Sequence, residues 1–94
     1  MADILKLNLE ECILVNDLKR LKDGHRPIKS IHRLSLLMVA RYDLDYDIVV
    51  YMLYKAQKKG YQQHDKVIEL ERLIVKICEV LDTKRDDLVQ VIEL

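Results

Sequence analysis

The chain has 94 residues, and its 16 basic and 16 acidic side chains give a formal net charge of zero, so overall charge provides no argument for nucleic-acid binding. Half of the residues are hydrophobic and about a third are charged, which is typical of a folded helical protein and excludes a disordered one. A chain of this length forms one domain with a small core, so residues 1–94 are predicted to be a single helical domain.

Leu5–Leu9 alternates apolar and polar residues, which predicts either a short strand or an extended lead-in. Asn8 is a favourable helix N-cap, and Glu11 three residues later completes a pair of the capping-box type. A first helix is therefore predicted over Leu9–Lys22, with Gly24 ending it.

A second helix is predicted from Pro27 onward, because proline suits a first helical turn where its missing N–H is not needed. Ser35 falls on the apolar side and is expected to donate a hydrogen bond to a carbonyl one turn earlier. The apolar side contains Ile28, Ile31, Leu34, Ser35, Met38 and Tyr42, and the solvent side contains Lys29, His32 and Arg33.

Three aspartates at alternate positions, Asp43, Asp45 and Asp47, have the spacing with which calcium loops begin. Counting from Asp43, the sixth position is Ile48 instead of glycine, and the twelfth is Tyr54 instead of glutamate. The aspartates are therefore predicted to mark a helix N-terminus, where negative charge is favourable, and no metal is expected.

The third helix is predicted over Tyr46–Lys59 and closed by Gly60. Its apolar arc contains Tyr46, Val49, Val50, Met52, Leu53 and Ala56, whereas Ile48, Tyr51, Lys55, Lys58 and Lys59 lie on the polar side.

A fourth helix over Lys66–Asp82 has apolar residues spaced by three, four, three and four, as in a coiled-coil seam. This seam is interpreted either as the core of the domain or as a surface for self-association. Thr83 is expected to cap a last short helix that includes Leu88, Val89, Val91 and Ile92. The predicted fold is therefore all-α, a small bundle of about five helices with a short extended N-terminal segment as an alternative. The seam residues are Val67, Leu70, Ile74, Ile77 and Leu81.

No catalytic or metal-binding pattern is present. The serines at positions 30 and 35 have no suitably placed base, and neither a glycine-rich phosphate loop nor an HExxH motif occurs. His25, His32 and His64 form no zinc knuckle with Cys12 or Cys78. We therefore expect a protein that is not an enzyme and that needs no cofactor, metal or small-molecule substrate.

Isolated cysteines are typical of core positions in a reducing compartment. The sequence has no apolar leader and no run near the ~20 apolar residues of a membrane span. The expected location is the cytoplasm, without membrane contact.

Basic residues are concentrated between Lys19 and Arg41, where seven basic residues accompany one acid. This surface is interpreted as a site for nucleic acid or for an acidic partner, or simply as a solvated face. The candidate residues are Lys19, Arg20, Lys22, Arg26, Lys29, His32, Arg33, Tyr51, Lys55 and Lys58.

The segment IVKICEVLDTKRDDL, residues 74–88, resembles the last two helices of Cro/repressor-type domains in its leucine spacing and its final DDL. In that family these helices support the core, and the DNA-reading helices lie upstream. DLDYDIVVYML, the corresponding upstream stretch here, has no small pivot residue, so neither the fold nor the role of that family is carried over.

Two functions follow from these patterns. The first is a non-enzymatic regulatory or interaction protein that binds a protein partner stoichiometrically and self-associates as a homodimer. The alternative is a small DNA-binding transcriptional regulator that uses the basic face of helices 1 to 3.

Overall fold

The computed structural model describes residues 3–62 and 67–93, with the side chain of Val67 outside this description. The predicted role of Val67 in the seam, and any statement about His64 or Lys66, therefore lie outside the described residues. The elements in chain order are β1 (Ile4–Leu7), α1 (Leu9–Lys22), α2 (Ile31–Tyr42), α3 (Tyr46–Lys58), β2 (Tyr61–Gln62), α4 (Val67–Leu81), α5 (Arg85–Leu88) and β3 (Val89–Ile92).

The all-α prediction is wrong, because the fold is mostly helical but contains a three-stranded antiparallel sheet in the order β2–β1–β3. Ile4 pairs with Gln62 on one side and with Ile92 on the other. The strand alternative for the N-terminal segment is therefore correct in type, although the strand starts and ends earlier than predicted.

The predicted last helix also needs correction, because α5 stops at Leu88 and the next residues form β3. Val89, Val91 and Ile92 are β-branched, which favours a pleated strand over a helix. Pairing with β1 along Val89–Ile92 then satisfies backbone groups that a helix would have satisfied internally.

Helix α1 has the predicted bounds, but its N-terminus is capped from elsewhere in the chain. Asn8 makes no capping bond to the helix, and its Nδ2 instead donates to Glu11 Oε2 at 2.7 Å. The backbone N–H groups of Leu9 and Glu10 donate to Gln57 Oε1 in α3 at 2.7 and 3.2 Å. The capping-box prediction is therefore wrong, since a tertiary contact supplies the acceptor.

Helix α2 begins later than predicted, at Ile31, with Ser30 as its N-cap and Pro27 in the preceding connection. Lys29 has φ of 73°, a left-handed conformation that cannot belong to a right-handed helix. Ser35 is buried, and its Oγ donates to the carbonyl of Ile31 at 2.8 Å, as the sequence predicted.

Helix α3 begins where the aspartates predicted it. Asp45 is the N-cap, and its Oδ1 accepts the backbone N–H of Ile48 at 3.1 Å. Asp43 caps the end of α2 with a left-handed backbone at φ of 54°. Three residues therefore lie between the end of α2 at Tyr42 and the start of α3 at Tyr46. Gly60, at φ of 80°, follows the C-terminus of α3.

The core lies between α1, α2, α3 and α4 and continues onto the sheet and α5. The apolar side predicted for α2 is buried from Ile28 to Met38, with Tyr42 half-buried. Four of the predicted α4 seam residues are also buried in this core, namely Leu70, Ile74, Ile77 and Leu81. Their packing within the chain leaves them unavailable as a surface, so a docking surface has to be sought elsewhere.

Candidate protein-interaction surfaces

Helix α1 carries a row of exposed leucines, which we call the leucine stripe: Leu14, Leu18 and Leu21. Their side chains are 61%, 57% and 59% exposed. Steps of four and three residues place the three on one side of a helix. At 1.5 Å per residue the stripe is about 10 Å long. Val15 lies beside it and is also half exposed.

The opposite side of α1 is held inward by apolar and polar contacts. Leu9, Cys12 and Ile13 are buried there together with Asn16 and Asp17. The helix therefore has apolar residues on two opposite sides, and the fold covers one of them.

The two buried polar residues of α1 determine which side faces the core. Asn16 Nδ2 donates to the carbonyl of Leu81 at 2.8 Å. Asp17 accepts the backbone N–H groups of Ile28 and Lys29 at 2.6 and 2.8 Å. A rotation of α1 that buried the leucine stripe would break these bonds and leave the carbonyl of Leu81 and the N–H groups of Ile28 and Lys29 without these partners.

Charge is distributed unevenly along α1. Glu10 and Glu11 occupy its first turn, and Lys19, Arg20 and Lys22 occupy its last. This arrangement agrees with the helix dipole, and it also gives the two ends of the leucine stripe opposite charges.

A second feature is a groove between the end of α1 and the beginning of α2, with a volume of about 340 Å³. Leu36 and Leu37 line it and are 45% and 42% exposed. Three arginines and Pro27 also line it, and its lining contains no carboxylate. We call this feature the arginine groove, after Arg20, Arg26 and Arg33.

Four of the predicted basic residues line two different depressions of the surface. Arg20, Arg26 and Arg33 come together in the arginine groove, whereas Lys29 lines another depression that also contains Glu10 and Asp17. Neighbouring carboxylates reduce the positive potential around Lys29.

The remaining basic candidates are separate from this groove or already make contacts within the chain. His32 packs edge-on to the ring of Tyr46, with Nδ1 3.1 Å from the tyrosine hydroxyl. Lys55 Nζ lies 4.5 Å from the ring centre of Tyr61 in β2. Lys19, Lys22, Tyr51 and Lys58 are exposed.

The sequence prediction missed both the leucine stripe and the apolar part of the arginine groove. The sequence does contain a pattern that could have predicted the stripe, since leucines at steps of four and three occur in a helix whose other side is also apolar. The sequence pattern for the groove is weaker. Leu36 and Leu37 lie beside the buried side predicted for α2, and only packing decides whether such residues are covered.

Metal-binding clusters, reactive thiols and membrane-spanning helices would each indicate a further function in the rest of the described part of the chain. Among those residues, no three His, Cys, Asp or Glu side chains form a cluster that could hold a metal ion. Cys12 and Cys78 are free thiols, and burial raises the pKa of both, which makes them weak nucleophiles at neutral pH. Within residues 3–62 and 67–93, none of the helices has the length and apolar character needed to cross a bilayer.

The fold and its surfaces define a small, mostly helical protein with a short antiparallel sheet, an exposed leucine stripe and an arginine-lined groove. Comparison of the chain with protein-family models, curated proteins and solved structures gives no match. The proposals below therefore rest on the geometry and chemistry of this chain.

Proposed function

We propose that this protein is a non-enzymatic interaction module that binds a protein partner stoichiometrically, and that a second copy of the chain is one such partner. The observation that carries the proposal is the leucine stripe, whose three side chains are all more than half exposed. Removing them from water on association is favourable, because apolar burial dominates most protein–protein binding. The free thiols of Cys12 and Cys78 support the cytoplasm as its compartment.

The charges of α1 favour a two-fold antiparallel pairing of this helix. If the axis passes close to Leu18, then Leu14 of one copy meets Leu21 of the other. The same operation brings Glu11 at the acidic end close to Lys22 at the basic end of the second copy. Two-fold dimers are the commonest oligomers, and a self-complementary surface of this kind is what their symmetry requires.

Sedimentation of the intact chain at micromolar concentration tests the proposal. The expected mass is twice the 11.2 kDa of one chain. Leu18→Asp should give a monomer with an unchanged helical spectrum, because the side chain is exposed in the single chain. Val75→Asp is the matched control, since Val75 on α4 is 60% exposed and lies outside the stripe. A wild-type monomer at high micromolar concentration would exclude self-association.

A charge exchange tests the orientation. Glu11→Lys alone and Lys22→Glu alone should each weaken the dimer, because each places like charges opposite one another. The double variant Glu11→Lys with Lys22→Glu should recover dimerisation. If the dimer of the double variant is destabilised by the sum of the effects of the two single variants, α1 does not pair in the antiparallel orientation.

DNA binding is the second candidate function, and two observations favour it. Helices α2 and α3 are joined by only three residues, as in helix-turn-helix proteins, and basic residues lie on α1 and before α2. Asp45 and Asp47 oppose it, since they lie at the N-terminus of α3, where such proteins contact base edges.

A mobility-shift assay with mixed-sequence duplex DNA tests this second candidate. If it is correct, the protein shifts DNA at low salt, and Lys29→Glu with Arg33→Glu abolishes the shift without altering helical content. Absence of any shift at low salt would exclude this function.

A further inference from the structure

We infer that the arginine groove is a docking site for a short acidic peptide segment that also carries apolar side chains. This inference concerns a surface distinct from the leucine stripe and adds the chemical class of a second partner. It rests on four features of the groove: its charges, its exposed apolar lining, the orientation of one of its arginines and its anchored backbone.

The lining of the groove carries three positively charged side chains. Arg20, Arg26 and Arg33 line it without any carboxylate. None of the three makes an ion pair with a residue that the structure describes, whereas Arg85 and Glu71 form such a pair elsewhere. An acidic segment would supply the missing counter-charges, and carboxylates match the planar guanidinium group in two parallel hydrogen bonds.

The apolar lining determines what else the occupant must contain. Leu36 and Leu37 are each more than two-fifths exposed, and Pro27 lies beside them. These side chains would be removed from water by apolar side chains placed between the acidic residues. A nucleic-acid backbone offers no such apolar surface, and the groove lacks an aromatic ring on which a base could stack.

One of the arginines is already held in place before binding. Arg20 Nε donates to Asn16 Oδ1 at 2.7 Å, and the amide of the buried Asn16 is itself bound to the carbonyl of Leu81. The terminal nitrogens of Arg20 donate no hydrogen bond to any described residue. A guanidinium fixed in this way loses less side-chain entropy when a carboxylate binds, which favours recognition at this position.

The backbone around the groove is also anchored. Asp17 accepts the N–H groups of Ile28 and Lys29, which fixes the connection between α1 and α2 next to Arg26 and Pro27. Ser30 then caps α2 through the backbone N–H of Arg33 at 3.2 Å. The groove is therefore formed by backbone segments with defined positions, as is usual for peptide-binding sites that exist before the peptide arrives.

Selection from a display library of random short peptides on the intact protein tests the inference. We expect enriched peptides to contain Asp or Glu interleaved with Leu, Ile or Phe. Enrichment of neutral or basic peptides would overturn the inference, as would no enrichment above an unrelated protein.

Binding of one enriched peptide, labelled and measured by fluorescence anisotropy, provides the second step. Arg26→Glu with Arg33→Glu should weaken binding at least about tenfold, because two charge-assisted contacts are lost and reversed. The matched control is Lys59→Glu with Lys84→Glu, which changes net charge equally at two exposed positions that do not line the groove, and should change affinity less than about twofold.

Two further comparisons separate the apolar and ionic contributions. Leu36→Ser with Leu37→Ser should weaken binding while preserving its salt dependence, and replacing the acidic residues of the peptide by Gln or Asn should remove that dependence. Equal affinity for the neutral peptide would overturn the ionic part of the inference. If a DNA duplex binds in an Arg26- and Arg33-dependent manner and the peptide does not, the groove is a phosphate site and the inference is wrong.

The peptide assay also distinguishes this inference from the proposed dimer. Leu18→Asp should remain monomeric and still bind the selected peptide with the wild-type affinity, because Leu18 does not line the groove. If the wild-type chain is a monomer, the peptide result stands unaffected. Loss of peptide binding in Leu18→Asp would contradict the assignment of binding to the arginine groove.

Discussion

At the residue scale, three buried polar side chains have specific hydrogen-bond partners. Asn16 and Asp17 connect α1 to the end of α4 and to the connection before α2, and Ser35 bonds within its own helix. Buried polar groups are expensive unless hydrogen-bonded, so these contacts specify one arrangement of the helices. Their effect is to orient α1 so that the leucine stripe faces outward.

Replacing Asp17 by Asn should lower the free energy of unfolding by about 1.5–3 kcal/mol, because a charged acceptor of two buried backbone N–H groups is lost. The new amide would direct a donor at a backbone donor. Urea unfolding with circular dichroism measures the change. Asp23→Asn at the exposed end of the same helix is the control, with an expected change within about 0.5 kcal/mol. Equal effects at both positions would contradict a specific role for Asp17.

The two thiols give a pH prediction whose direction follows from burial. Burial raises the pKa of Cys12 and of Cys78 above the ordinary value of 9.0, so the folded chain holds these protons more tightly than the unfolded chain. Their contribution to stability is fully present below pH 9 and is lost as the pH rises through the folded-state pKa values. Stability of the wild type should therefore fall more steeply above pH 9 than that of Cys12→Ala with Cys78→Ala. Parallel slopes would contradict this assignment.

At the element scale, the ends of helices were predictable where a local residue determines them. Gly24 and Gly60 both follow helices and both have positive φ, near 80°. Asp45 caps α3 through its own side chain. The N-terminus of α1 was not predictable in the same way, because its acceptor is Gln57, 48 residues away in the sequence.

The two glycines provide a matched pair of variants. A Cβ at Gly60 would lie 2.5 Å from Ile4 Cγ2 and 2.7 Å from the carbonyl oxygen of Leu5, whereas a Cβ at Gly24 would meet nothing within 4 Å. Gly24→Ala should lower the free energy of unfolding by about 1–2 kcal/mol, because residue 24 has a left-handed backbone conformation. Gly60→Ala should lower the free energy of unfolding by roughly 1–3 kcal/mol more than Gly24→Ala, because β1 must move to make room for the added Cβ. Thermal unfolding compares them, and equal destabilisation would mean that β1 yields without penalty.

At the scale of the whole molecule, the sheet joins the two ends of the chain. The central strand β1 comes from the N-terminal region, and β3 comes from the C-terminal region and pairs with it from Leu7–Val89 to Ile4–Ile92. This pairing closes the core around Leu7 and Leu88, both of which are buried. The short sheet therefore contributes to the integrity of a fold that is otherwise helical.

Truncation after Leu88 should strongly destabilise the protein, even though most of the removed side chains are exposed or half-buried. The reason is that β1 would lose its pairing with β3, which would expose the backbone N–H and C=O groups of β1 and the side chain of Leu7 to water. Val91→Thr, which keeps a β-branched side chain at an exposed strand position, is the control. Thermal melting measures both, and a truncated chain that melts with the wild type would show that β3 is dispensable.

The sequence by itself determined the position of α1, α3 and α4, most of α2 and the inward side of most of these helices, because periodicity and local caps act within a few residues. It indicated the core role of α4 as one of two alternatives, and packing within the chain accounts for Leu70, Ile74, Ile77 and Leu81. Tertiary structure alone decided that Val89–Ile92 is a strand, because its pairing residues lie in β1 at the other end of the chain. It also decided which apolar side of α1 is covered. Both sides of α1 carry apolar residues, and the buried contacts of Asn16 and Asp17 distinguish the covered side from the exposed one.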